Sequence, residues 1–142
     1  MTGEVGTEGI RVMHVEDHAD FRDLMGLLLN SQSDIELVAQ AGSLVEARAC
    51  AATLEFDVAV LDLSLPDGNG GDLISDLRRA NPDVAVLILS ASLDAASAQR
   101  AADTGADEIM DKLSPLDEVL DTVRELGIRS TNRHPHHNNE KN

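Results

Sequence analysis

Five side chains in this sequence are of types that could do chemistry together: Glu16, Asp17, Asp62, Ser90 and Lys112. Asp62 is the most telling. It follows Val58-Ala59-Val60-Leu61, and Pro66 and Gly68 come soon after it. An aliphatic, β-branched run without alternation suits a strand buried on both faces, as in a parallel sheet. Proline and glycine cannot continue that strand, so the chain must turn. Asp62 is therefore expected at the carboxyl end of a buried strand, the edge where open α/β sheets bind ligands. A carboxylate there is costly unless a metal, a lysine or water compensates it. Taken alone, it could equally cap the turn.

The other four residues occupy matching places. Ile10 to Val15 reads as a strand and leads to Glu16-Asp17. Ala85 to Leu89 leads to Ser90, and Glu108 to Met110 leads to Lys112. A parallel sheet would gather all these strand ends at one edge. Three carboxylates beside one lysine make a hard, oxygen-rich site. Such a site suits Mg²⁺, which takes one or two carboxylates, keeps several waters and readily bridges a phosphoryl oxygen.

The elements that must position these residues are legible in order. Phe21, Leu24, Met25 and Leu28, spaced i, i+3, i+4, i+7, predict one face of a helix. Ile35 to Ala41 is a second strand, ended by Gly42. Ser43-Leu44-Val45-Glu46 is a capping box that opens an Ala-rich helix to about Thr53. The glycine-rich stretch from Ser64 to Gly71 is flexible or tightly turned. Leu73, Ile74 and Leu77 line a third helix, stopped by Asn81-Pro82. Asp94 caps a fourth through Ala102, closed by Gly105. Ser114 and Pro115 open the last, as N-cap and N1, and Leu116, Val119, Leu120 and Val123 form its apolar stripe. Residues 10–126 thus read as one domain of β-α units. Right-handed crossovers would place helices on both faces of one parallel sheet. Residues 1–9 and the polar, aperiodic residues 127–142 read as disordered.

Composition narrows the classes. The chain has 142 residues, 42% of them hydrophobic but only 1% aromatic, so its core must be aliphatic. The formal net charge of -15 repels phosphate backbones and anionic membranes, which argues against direct nucleic-acid or membrane binding. The one cysteine, Cys50, cannot form an intrachain disulfide and reads as a small core residue. No signal peptide and no bilayer-length apolar run is visible, so the expected location is cytoplasmic.

The chain resembles a response regulator receiver domain of two-component signal transduction. The matching stretches are V-E-D-H at Val15 to His18, L-D-L-S-L-P-D-G at Leu61 to Gly68, L-S-A-S at Leu89 to Ser92, and G-A-D-E-I-M-D-K at Gly105 to Lys112. Any one is weak, but four in order, each at a strand end, are specific. The resemblance implies a flavodoxin-like (CheY-like) sheet of order 2-1-3-4-5. It implies that Asp62 is the phosphoacceptor, taking a phosphoryl group from a phosphohistidine on a sensor histidine kinase or phosphotransfer protein. Glu16, Asp17 and Asp62, with the backbone carbonyl of Ser64, would hold Mg²⁺. Ser90 and Lys112 would each meet a phosphoryl oxygen. A homodimer through helix 4, strand 5 and helix 5 is common in relatives.

Three departures stand out. Ile109 occupies the fifth-strand place where the family usually has an aromatic gate, which points to a switch carried by backbone shifts of the Ser90 loop. Leu113, not proline, follows Lys112. Ser64 and Ser92, which flank the site, are neither acids nor amides and cannot orient an attacking water. Two other functions compete. One is a phosphorylation-independent binding module. The other is an aspartyl-phosphate hydrolase of the haloacid dehalogenase type, which would need an acid where Ser64 stands. Several residues have plainer readings: His14 as a core histidine, His18 as partly exposed, Arg78-Arg79 as a solvated helix face, and His134, His136 and His137 as solvated linker.

Overall fold

The computed structural model describes residues 9–91 and 94–133. Twelve elements follow one another: β1 (Ile10–Val15), α1 (Ala19–Asn30), β2 (Ile35–Ala41), α2 (Leu44–Thr53), β3 (Val58–Asp62), β4 (Ser64–Leu65), β5 (Gly68–Asn69), α3 (Gly70–Ala80), β6 (Ala85–Ser90), α4 (Ala95–Asp103), β7 (Glu108–Asp111) and α5 (Leu116–Arg133). Five strands form a parallel sheet of order β2-β1-β3-β6-β7, as the resemblance implied. The glycine-rich stretch is a small antiparallel hairpin, β4 on β5, with Gly68 at φ 152°. Its Asp67 carboxylate accepts from the N–H groups of Leu44 and Val45, adding a second cap to α2 beside Ser43.

Strand alternation divides the core into two layers. Ala59 and Leu61 of β3 pack with Met13, Val15, Val86 and Ile88 under α2, α3 and α4. Val58 and Val60 face the other way, with Val12, Leu87 and Leu89, under α1 and α5. Every residue of β3 is buried, which is why its sequence shows no alternation.

The expected face of α1 holds at three of its four positions: Met25 is buried, and Phe21 and Leu28 are half-buried against the same core layer. The helix buries Met25, Gly26 and Leu29, while Leu24 and Leu27 are 45% and 73% exposed. Gly26 adds to the buried face. A Cβ there would stand 2.8 Å from the Gln40 side chain, so glycine lets β2 lie close against α1. Gln40 uses that space to donate to the Arg22 carbonyl at 2.8 Å.

The carboxyl end also differs from expectation. Leu116 begins α5, with the Pro115 carbonyl accepting from Glu118 and Val119, so Pro115 takes the cap place expected for Ser114. The helix passes Leu126 and continues to Arg133, correcting the disordered reading of residues 127–133. Tertiary contacts hold this extension. Gly127 lets the helix run beside Ile10, and the buried Ser130 donates its hydroxyl to the Asp83 carbonyl at 2.8 Å. Polar composition hid a helix whose last turns are fastened by hydrogen bonding rather than by an apolar stripe. Residues 1–8 and 134–142, the latter including His134, His136 and His137, lie outside the described residues, as does Ser92.

Candidate functional site

Sheet register builds the site. Val15 lies beside Leu61, Asp62 beside Leu89, and Ser90 beside Asp111. Glu16 follows Val15 of β1 and Lys112 follows Asp111 of β7, so the strand ends meet across β1, β3, β6 and β7. The Lys112 N–H donates to the Ser90 carbonyl at 2.9 Å, which extends the ladder past Asp111.

Glu16 is 1% exposed and Asp62 7%, whereas Asp17 is open to solvent. One carboxylate oxygen from each of these three lies within 4.8 Å of the others. Lys112 Nζ donates to Glu16 at 2.9 Å and to Asp62 Oδ2 at 3.3 Å. Asp62 Oδ1 accepts from the Ser64 N–H at 3.2 Å, and Glu16 accepts from the His18 N–H at 3.0 Å. Gly70 allows the approach behind Asp62, because any Cβ there would collide with the Asp62 carbonyl. Glu16, Asp17, His18, Asp62, Ser64 and Lys112, with Ser90, Ser97 and Arg100, line an open cleft of about 490 Å³.

The site is short of positive charge. Burial first, and then the Glu16 charge, pushes the Asp62 carboxyl up to about 6, against the opposing pull of Lys112 and the Ser64 N–H. Burial alone would lower Lys112, but its hydrogen bond to Glu16 and the charges of Asp62 and Glu16 outweigh that and raise it. Three acids against one lysine leave a hard-oxygen donor set that fits Mg²⁺.

The structure brings together Glu16, Asp17, Asp62, Ser64, Ser90 and Lys112. Ile109 is half-buried on β7 opposite Ile88, packed against the α2–α4 layer. His14 is buried as read, with Nδ1 3.0 Å from Gln40 Nε2. Burial, then the Lys112 and Arg22 charges, lowers it to about 4. His18 is exposed and caps α1 by accepting from the Phe21 N–H. Cys50 is half-buried at the edge of the core. Arg78 is not merely solvated: it bonds the Gly105 carbonyl and Asp107 at 2.9 Å each.

Sequence reasoning missed four residues around the site. The Phe21 ring lies under the lysine, with Nζ 5.2 Å from its centroid, a cation–π contact. Arg22 donates to the Glu16 carbonyl at 2.8 Å and so holds the acid loop. Ser97 and Arg100 of α4 reach the cleft. No local sequence pattern points to these four residues, because packing between distant segments brings them to the site.

Fold and site together define a receiver domain. The family model for the response regulator receiver domain matches residues 12–124, and the chain belongs to that family. It is 32% identical over 115 residues to the response regulator protein VraR of Staphylococcus aureus. That match covers 81% of this chain and 55% of VraR, so the chain spans about half the length of the curated relatives it matches. Among solved structures, the non-phosphorylated HemR receiver domain of Leptospira biflexa is 30% identical at a TM-score of 0.70, covering 83% of this chain and 94% of that one. A CheY-like receiver domain protein of Methanospirillum hungatei JF-1 shares the fold at a TM-score of 0.76 and 19% identity, covering 88% of this chain and 98% of that one. Among the described residues no helix is long and apolar enough to cross a membrane.

Proposed function

We propose that Asp62 accepts a phosphoryl group from a phosphohistidine on a sensor histidine kinase or phosphotransfer protein. The observation that carries this reading is Lys112 Nζ bridging Glu16 and Asp62 at the mouth of a buried strand edge. An Asp62 oxygen attacks phosphorus, an O–P bond forms, and the N–P bond breaks with its electron pair returning to the imidazole. Such transfer needs alignment and charge neutralisation more than covalent help. Lys112 supplies one cation to the incoming oxygens and Ser90 a hydroxyl donor. Glu16, Asp17, Asp62 and the Ser64 carbonyl are the residues that would hold Mg²⁺, which offsets phosphoryl charge when bound. The chain is a phosphoacceptor with one acceptor site, not a turnover enzyme.

The switch follows from the same atoms. Phosphoryl oxygens on Asp62 draw Ser90 and Lys112 inward, and the Lys112 N–H to Ser90 carbonyl bond ties the two loops together. Ile109 cannot act as a large rotating gate, so backbone shifts of the Ser90 loop carry the change to the α4–β7–α5 face. That face is also where a second copy would pair. The partner kinase and a cytoplasmic location belong to this reading. A phosphorylation-independent binding module is the second reading, favoured only by Ile109.

Intact mass after incubation with acetyl phosphate and Mg²⁺ tests the proposal. A gain of one phosphoryl group, absent in Asp62→Asn and without Mg²⁺, supports it. If no gain follows from acetyl phosphate, and equal partner binding is found for wild type and Asp62→Ala, the binding module replaces it.

A further inference from the structure

The cleft over Asp62 holds a second cation that phosphoryl acceptance through Lys112 and Ser90 leaves unused. Arg100 of α4 lines the cleft with Asp62, Ser90 and Lys112. Its Nη2 donates to the Ser97 hydroxyl at 3.0 Å, and Ser97 is itself buried. Six other arginines behave differently. Arg11, Arg48, Arg78, Arg79, Arg124 and Arg129 each reach a carboxylate. Among the described residues, none of the ion pairs within 4.0 Å involves Arg100. Arg22 is likewise in none of these ion pairs, but it is engaged by the Glu16 and Asp17 carbonyls, whereas Arg100 has one neutral hydroxyl in a chain with 26 acids against 11 Lys plus Arg.

Two features make that arrangement useful. A guanidinium presents five N–H donors in a planar fork that matches phosphate oxygens, and one bond to Ser97 leaves donors free. Its helix is also loosely seated, since α4 buries only Ser97 and Ala101. A pull on Arg100 would therefore move α4 at little cost in core packing.

We propose that Arg100 is a phosphoryl-binding residue. Its guanidinium pairs with an oxygen of the aspartyl phosphate on Asp62 and carries α4 toward the site. This rests on Asp62 being the acceptor. It provides a direct link from phosphoryl group to α4 in a chain whose β7 has Ile109 in place of an aromatic.

The test is an amide NMR titration of the full chain with Mg²⁺ and beryllium fluoride, a phosphoryl mimic, on wild type, Arg100→Gln, Arg100→Lys and Asp62→Asn. The expected result is an affinity for the mimic about ten-fold weaker in Arg100→Gln, as for loss of one charge-assisted contact, with Arg100→Lys in between. Shifts across residues 95–103 shrink in Arg100→Gln, while those at Ser90 and Lys112 persist. Its Mg²⁺ affinity without the mimic stays at or above that of wild type, because a positive charge has left an acidic cleft. An Arg100→Gln protein matching wild type in mimic affinity and α4 shifts overturns this inference alone. Weakened Mg²⁺ binding in that variant also overturns it, marking a purely structural role. A wild type that binds no mimic, or an Asp62→Asn protein that binds it equally, overturns the acceptor reading and this inference together.

Discussion

Lys112 lies closer to Glu16 than to Asp62, 2.9 Å against 3.3 Å. Glu16 is also the more deeply buried of the two acids. The lysine is thus held chiefly by a carboxylate that accepts no phosphoryl group in the proposed reaction. Its second contact, to Asp62, is the one an incoming phosphoryl group would replace.

Removing that cation should be costly. Lys112→Gln leaves two buried carboxylates facing each other, and loss of one partner from a buried charge cluster costs about 3 kcal/mol or more. Urea unfolding at pH 7 should show the loss. Added Mg²⁺ should stabilise Lys112→Gln more than wild type, since it restores positive charge. Equal stability of the two proteins without Mg²⁺ would contradict the role assigned to the lysine.

Asp62 should destabilise the metal-free fold at neutral pH. Its folded pKa, about 6, is raised above the ordinary 3.8. The folded state therefore holds the proton more tightly, and stability from this group is full below 3.8 and lost as pH rises through about 6. Asp62→Asn removes the effect. We expect it to be more stable than wild type by about 1–2 kcal/mol at pH 7.5, after allowance for water at the cleft mouth, with the gap narrowing toward pH 4.5. Paired urea titrations at the two pH values, without Mg²⁺, measure it.

His14 acts in the opposite direction. Its folded pKa, about 4, is depressed from 6.5. Its contribution is complete above 6.5 and is lost as pH falls toward 4, a span worth about 3 kcal/mol. With Gln40 Nε2 donating to Nδ1, the ring proton sits on Nε2. His14→Asn keeps an acceptor near Nδ1 and should flatten the decline between pH 6.5 and 4. An unchanged pH profile of the urea midpoint would refute this.

Ser90 and Ile109 should separate cleanly. Ser90→Ala removes the hydroxyl beside the phosphoryl position and should abolish most of the beryllium fluoride-induced shifts in β7 and α5, while shifts in α4 persist in part through Arg100. Ile109→Ala removes half-buried aliphatic volume and should cost about 1–2 kcal/mol of stability. It should leave those shifts in place, because no side-chain gate is being removed. Closely similar α4–α5 spectra of wild type with and without the mimic would count against a switch through the Ser90 loop.

Much of this was legible locally. The β3 run ending at Asp62, the Ser43 and Asp94 caps and the strand-end acids are encoded within a few residues, where backbone sterics and periodicity act. The misreadings arose where distant chain intervenes. Phe21, Met25 and Leu28 of the α1 stripe reach the core, but Leu24 stands in solvent and Gly26 is buried against Gln40 of β2. Residues 127–130 look polar and aperiodic, yet Ile10 and Asp83 fasten them as helix.

By itself, the sequence determined which strands are buried, which residues end them and hence which chemical groups reach one edge, because apolar runs and turn residues act at short range. Only the tertiary structure decided how those groups pair. Lys112 finds Glu16 across 96 residues and Asp62 across 50. The Phe21 ring beneath the lysine, Arg22 on the acid loop and Arg100 over the cleft depend on helix rotation and seating. Those are set by packing between segments far apart in the chain, and no local pattern specifies them.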